Sequence, residues 1–176
     1  MGDDPGFSPD GRDLCRYRCE SQAYQALWTH GVCGQGIVPY LYGLLESFDP
    51  RLLGSDLGSF NEDKAFPCAI LLEYLPNPTS FETAGASLSP ELVRIAVDSL
   101  KTIHGARVVH NDPHLKNVLI VPKAKSPRVV WVDFDVSIVF SGEGTRGLLT
   151  LSDEAEWETK VFESRVRKLR NNSPRI

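Results

Sequence analysis

The chain has 176 residues, of which 41% are hydrophobic and 24% charged, an ordinary composition for a globular protein. Its formal net charge of -4 and pI of about 5.6 argue against a nucleic-acid partner, because such proteins carry a basic face. No apolar stretch is long enough to span a bilayer, so we expect no membrane partner. The absence of a signal-like start and the expectation that the four cysteines are free thiols favour a cytoplasmic location.

The first half of the chain predicts one helix followed by strands. Residues 1–12 are rich in Gly, Pro and Asp and should be loose. Residues 13–29 predict a helix, because apolar side chains recur along one stripe. Three strand segments follow: one over 37–42, one within 46–65 that a turn interrupts, and one over 69–75.

The second half predicts two helices around a β-hairpin. The helix 89–104 opens with Ser-Pro-Glu, which supplies a capping hydroxyl, a proline suited to the first turn and an acid that favours the positive helix end. Strands are predicted over 118–121 and 129–133, joined by a polar turn. The final helix, 152–169, is predicted to be capped by Ser152.

The clearest chemical signal lies in the hairpin and the loop before it. Asp112 can accept a proton, Asn117 can coordinate a cation without competing for that proton, and Asp133 is a hard anionic ligand at a strand end. A tight hairpin would bring Asn117 and Asp133 close together. One base and two magnesium ligands form an arrangement that suits phosphoryl transfer.

Other interpretations of individual residues stay open. His110 fits an orienting scaffold for the loop better than an acid or a base. His110, Asp112 and His114 alternate as the ligands of a hydrolase metal site can, but no further histidine cluster accompanies them. Cys15 and Cys19 lie one helical turn apart and could bind a metal, although packing is the favoured role.

A Gly-rich stretch over 142–147 has the spacing G-x-G-x-x-G. It neither follows a convincing strand nor opens a helix, as a dinucleotide-binding fingerprint must. We therefore interpret this stretch as a flexible loop.

Residues 110–117, His-Asn-Asp-Pro-His-Leu-Lys-Asn, resemble the catalytic loop of the protein-kinase-like superfamily, whose pattern is His-x-Asp-x-x-x-x-Asn. His114, where protein kinases usually carry Lys, is typical of the aminoglycoside phosphotransferase and choline kinase form. Asp133-Phe134-Asp135 is similar to the Asp-Phe-Gly signature except at its last position. The chain as a whole resembles divergent fungal-type kinase-like domains.

The resemblance extends to the nucleotide site. Residues 70–75 are similar to the strand and hinge whose backbone contacts adenine, which implies cofactor-binding roles for Glu73, Tyr74 and Leu75. Glu20 resembles the acidic residue of the kinase helix αC. The resemblance also implies Asp112 and His110 as catalytic residues, Asn117 and Asp133 as metal ligands, and ATP and Mg²⁺ as cofactors.

The implied fold is α+β and kinase-like with two lobes, an incomplete N-lobe over 13–75 and a shortened C-lobe over 76–170, followed by a tail over 171–176. No Gly-rich loop or strand Lys precedes the αC-like helix, since the first Lys is Lys64. The sequence therefore resembles a kinase core trimmed at both ends.

Two functions follow from these features. One is transfer of the ATP γ-phosphate to a protein or small-molecule hydroxyl. The alternative is a pseudokinase that binds or scaffolds, or a truncated gene product.

Overall fold

The computed structural model of the protein describes residues 4–9, 11–63, 65–140, 145–146 and 149–171. Within these ranges the chain forms four helices and nine short strands. The predicted α+β class is confirmed. Most of the predicted Gly-rich loop and of the predicted tail lies outside the described residues.

Helix α1 spans Arg16–Thr29 and begins three residues later than predicted. Asp13 precedes it and pairs with Arg18 on its first turn, which holds the N-terminal segment against the helix. The face turned to the core carries mainly small and apolar side chains, which are Cys19, Ser21, Ala23, Tyr24 and Leu27. The predicted apolar stripe comprised Cys15, Cys19, Ala23 and Leu27, and it is confirmed for the last three, which are buried.

Strands β1, Leu41–Leu45, and β2, Ala69–Leu72, form an antiparallel pair with an irregularity between Leu41 and Gly43. The predicted start of β1 at residue 37 is wrong, because the carbonyl of Ile37 instead accepts a hydrogen bond from the backbone N–H of Trp131 at 2.9 Å. The predicted continuation of β2 to residue 75 is also wrong.

The strand predicted within 46–65 is also wrong, because the described part of this segment forms 3-10 turns over Pro50–Leu53 and Ser55–Phe60. Asp49 caps the first turn by accepting a hydrogen bond from the backbone N–H of Arg51 at 3.0 Å. A capping acid followed by a proline with fixed φ starts a helical turn, not a strand.

Strand β3, Thr79–Ser80, leads into a short helix α2, Phe81–Ala84, and then into α3, Pro90–Gly105. Ser89 caps α3, since its hydroxyl accepts a hydrogen bond from the backbone N–H of Leu92 at 3.2 Å. The prediction for this helix is confirmed to within a residue.

Strand β4, Val108–Val109, pairs with β7, Ile138–Val139, and the loop 110–117 directly follows β4. Strands β5, Val118–Val121, and β6, Arg128–Trp131, form the predicted hairpin, with β3 on the outer edge of β5. The predicted extension of β6 to Asp133 is wrong, because Asp133 has φ of 69°, which a strand does not accommodate.

Two short strands, β8 (Thr145–Arg146) and β9 (Leu149–Thr150), precede the last helix, α4, Leu151–Asn171. The predicted cap at Ser152 is wrong. The hydroxyl of Thr150 accepts a hydrogen bond from the backbone N–H of Asp153 at 3.1 Å, so Thr150 caps the helix.

The hydrophobic core joins α1, the β5–β6 hairpin, α3 and α4 in one cluster, and its largest fully buried side chains are aromatic: Tyr24, Phe81, Trp131, Phe134 and Phe162. This cluster lies directly beneath the loop between β4 and β5. Among the described residues, no helix is both long and apolar enough to cross a membrane.

Candidate active site

His110 is fully buried and supports the loop between β4 and β5 through hydrogen bonds. Its Nε2 donates to the carbonyl of Val132 at 2.8 Å, and its Nδ1 accepts from the backbone N–H of Asp112 at 3.3 Å. This pattern requires a neutral imidazole with the proton on Nε2. Burial lowers the pKa of His110, which favours the same neutral form. His110 therefore orients the loop and does not itself face a substrate.

The Asp112 carboxylate is held at both oxygens. Asn117, which is buried, donates from Nδ2 to Oδ2 of Asp112 at 3.0 Å and to the Asp112 carbonyl at 3.0 Å. His114 places its Nε2 3.2 Å from Oδ1 of Asp112 and is half exposed, with 52% of its side-chain surface accessible. The carboxylate thus has a fixed orientation while its side chain stays partly open to solvent.

The hairpin brings Asn117 next to the segment that carries Asp133. The backbone N–H of Val132 donates to the carbonyl of Asn117 at 3.0 Å, and Asp133 is the next residue. Asn117 donates from its Nδ2 to Asp112, so its Oδ1 points away from the Asp112 carboxylate. Burial raises the pKa of Asp133, and the negative charge of Asp135 raises that pKa further.

Helix α1 adds a third acidic side chain to this segment. The Glu20 carboxylate lies beside the backbone N–H of Phe134. Burial raises the pKa of Glu20, and the charges of Asp133 and Asp135 add to that effect. Arg16, one turn before Glu20, forms an ion pair with Asp135. The segment 133–135 therefore carries closely spaced negative charges that one arginine partly balances.

The oxygen donors of this site suit Mg²⁺. No group of three or more His, Cys, Asp or Glu side chains in the described ranges is arranged to hold a metal ion. Mg²⁺ does not need such a group, because it typically takes one or two carboxylates and completes its shell with water and phosphate oxygens. Asp133 and the Oδ1 of Asn117 are hard donors of this kind, and a cation between them would relieve the repulsion that raises the pKa of Asp133.

Sequence reasoning missed Glu158, which anchors the loop from α4. Its side chain is fully buried and accepts hydrogen bonds from Nε2 of His104 at 2.8 Å, from the backbone N–H of His110 at 3.1 Å and from the backbone N–H of Asn111. One signal was present: Glu158, Phe162 and Val166 lie four residues apart, which puts the acid on the apolar stripe of α4.

The residues predicted to contact adenine lie near the start of β6, whereas Asp133 follows the end of that strand. Glu73 forms an ion pair with Arg128, the first residue of β6, through contacts of 2.6 and 3.1 Å. Asp133 lies five residues after Arg128, beyond the other end of β6. The side chain of Tyr74 is largely exposed, and the backbone groups of Tyr74 and Leu75 have no hydrogen-bond partner among the described residues.

A cavity of about 1010 Å³ lies elsewhere, between α1 and a wall formed by Asp63 and residues 65–68. Arg18, in its wall, is already paired with Asp4 and Asp13. None of the predicted site residues lines this cavity, so volume alone does not identify the site.

Comparison with known proteins adds no assignment: no family model matches the chain, and no curated protein matches it. The functional argument therefore depends on the residues of the loop and the hairpin themselves.

Proposed function

We propose that the chain is a kinase-like phosphotransferase that uses ATP and Mg²⁺ to phosphorylate a hydroxyl group of a protein or a small molecule. The observation that carries this proposal is the hydrogen bond between Nδ2 of Asn117 and Oδ2 of Asp112, at 3.0 Å, beside the segment that holds Asp133. A proton acceptor and two hard oxygen donors therefore share one edge of the hairpin.

Each of these residues has a defined role in the proposed reaction. Asp112 accepts the proton of the attacking hydroxyl as that oxygen bonds to the γ-phosphorus of ATP and ADP leaves. Asn117 and Asp133 are the residues that would hold Mg²⁺, which supplies charge neutralisation at the phosphates. His110 keeps Asp112 in place through the loop backbone.

Preorganisation supports this assignment, because phosphoryl transfer depends on positioning and electrostatics more than on covalent chemistry. The loop is held from below by His110 and from α4 by Glu158, both of them fully buried. Such a scaffold fixes the carboxylate of Asp112 before any substrate arrives.

The proposal extends to the fold. We place a kinase-like cleft between an N-terminal part that ends at Leu75 and a C-terminal part that begins at Pro76. Glu73–Leu75 would contact adenine through the backbone, and Glu20 would face the phosphates from α1. The likeness to divergent fungal-type kinase-like domains belongs to the same proposal.

A γ-³²P transfer assay tests the function. The wild type is compared with Asp112→Asn, Asp133→Asn and the control Asp98→Asn, an exposed carboxylate on α3. We expect the first two changes to reduce label transfer at least about a hundredfold, to the protein itself or to a panel of alcohol acceptors, and the control to retain it. Equal labelling by all four proteins contradicts the proposal. Nucleotide binding without any transfer identifies a binding module of the pseudokinase type instead.

A further inference from the structure

Arg16 is placed to do more than balance one carboxylate. It lies four residues before Glu20 on α1, so the two side chains share one face of the helix. Glu20 contacts the backbone of Phe134, and Arg16 contacts the side chain of Asp135. This helix face therefore runs along the segment 133–135, and the guanidinium of Arg16 lies at the Asp135 end of that segment.

The two partners of this ion pair differ in their freedom. The side chain of Arg16 is 77% exposed, whereas that of Asp135 is 18% exposed. Only Nη1 of the guanidinium contacts a described residue, and the other N–H groups of the fork face solvent. Asp135 is mostly buried and Arg16 is mostly exposed, so the arginine can exchange one anion for another at little cost in stability.

We propose that Arg16 is a phosphate-binding residue, whose guanidinium engages the phosphate groups of the nucleotide in front of Asp133. This inference depends on the proposed function, since it assigns a residue to the same site. The planar fork of arginine matches the oxygens of a phosphate in a two-point contact. A cation bound by Asp133 and Asn117 would also reduce the negative charge around Asp135 and so release Arg16 toward the ligand.

Nucleotide binding with and without phosphates separates this role from a structural one. Dissociation constants for ATP with Mg²⁺ and for adenosine are measured by calorimetry on the wild type, Arg16→Ala and Arg16→Lys. We expect Arg16→Ala to weaken ATP binding about tenfold, because a charge-assisted hydrogen bond is lost. Arg16→Lys should weaken it less, because lysine keeps the positive charge. Adenosine binding should be unchanged in both variants.

Arg94→Ala is the matched control, because Arg94 is also exposed and ion-paired, with Glu91 and Asp98 on α3. It removes the same charge away from the site and should leave ATP binding unchanged. ATP affinity in Arg16→Ala that equals or exceeds the wild-type value overturns the role of Arg16, as does an equal loss for adenosine and ATP. A wild type that binds neither ligand overturns the proposed function, and this inference with it.

Discussion

The carboxylate of Glu158 on the last helix accepts a hydrogen bond from the backbone N–H of His110, 48 positions earlier in the chain. The same carboxylate accepts from Asn111, which has φ of 64° and so carries the loop through a left-handed turn. One buried side chain therefore binds two consecutive backbone N–H groups of the loop that presents Asp112. Removing the Glu158 carboxylate should lower both the stability of the protein and its phosphotransferase activity.

Replacing Glu158 by Ala should lower the free energy of unfolding by about 3–5 kcal/mol, because His104 and the backbone N–H groups of His110 and Asn111 lose their acceptor. Urea denaturation followed by circular dichroism measures this loss. Glu158→Gln is the milder variant, since one amide oxygen still accepts, and it should cost about 1–3 kcal/mol. Glu163→Ala, an exposed acid on the same helix, is the control. A loss no larger for Glu158→Ala than for Glu163→Ala would rule out the anchoring role.

Asp133→Asn should raise the thermal midpoint of the metal-free protein. The change removes a carboxylate that is repelled by Asp135, and asparagine tolerates the φ of 69° at this position well. In return, the stabilisation that Mg²⁺ gives the wild type together with ATP should disappear. Thermal unfolding with and without Mg²⁺ and ATP measures both effects. A lower midpoint without metal would show that Asp133 makes a net favourable contribution to the fold.

Glu20→Gln should change how stability depends on pH. Because the pKa of Glu20 is raised in the folded protein, its stabilising contribution is complete below the unfolded pKa of about 4.3 and is lost as the pH rises through the folded value. Glutamine does not ionise, so the variant does not lose stability in this way as the pH rises. The difference in thermal midpoint, variant minus wild type, should therefore increase from about pH 4 towards neutrality.

His110 acts on stability in the opposite direction, since its lowered pKa costs stability as the pH falls below about 6.5. That contribution is common to the wild type and Glu20→Gln, so it cancels in their difference. A difference that stays flat or decreases with rising pH would contradict the raised pKa of Glu20.

The ion pair between Glu73 and Arg128 should couple the end of β2 to the start of β6. Both side chains are about a fifth to a quarter exposed, with 20% for Arg128 and 24% for Glu73, and Arg128 also donates to the carbonyl of Gly36 at 3.1 Å. A double-mutant cycle with Glu73→Gln and Arg128→Gln should give a coupling free energy of about 0.5–1 kcal/mol. Chemical denaturation at neutral pH measures the coupling.

The same coupling should fade in acid. Its hydrogen bonds to Arg128 lower the pKa of Glu73, so the stabilisation is present above the unfolded pKa of about 4.3 and is lost as the pH falls through the folded value. A cycle repeated at about pH 3 should give a smaller coupling. An unchanged value there would mean that the two residues interact through packing and not through charge.

Local signals in the sequence predicted the parts of the fold that depend on neighbours along the chain. Helix α3 followed from Ser89 and its apolar stripe, and the β5–β6 hairpin followed from two apolar runs around a polar turn. The segment 46–65 was mispredicted because Asp49 caps a helical turn there, a choice made by one side-chain contact.

The candidate site was predictable only in part for a related reason. Asp112, Asn117 and Asp133 lie close in sequence, so their proximity could be inferred from the hairpin. Glu158 and Arg16 contact this region from helices that are distant in the sequence. No local sequence pattern predicts which loop such a side chain contacts. The left-handed backbone at Asp133 likewise follows from the tertiary structure and not from its neighbours.

The large sequence separation between α1 and its partners affects folding during synthesis on the ribosome. Arg16 and Asp135 are 119 positions apart, and the carbonyl of Cys19 meets the hydroxyl of Ser137 at 3.3 Å across 118 positions. During synthesis at about 5–20 residues per second, α1 leaves the ribosome seconds before its partners exist. During that interval Tyr24, on the buried face of α1, lacks the ring of Phe134 that covers it in the folded protein.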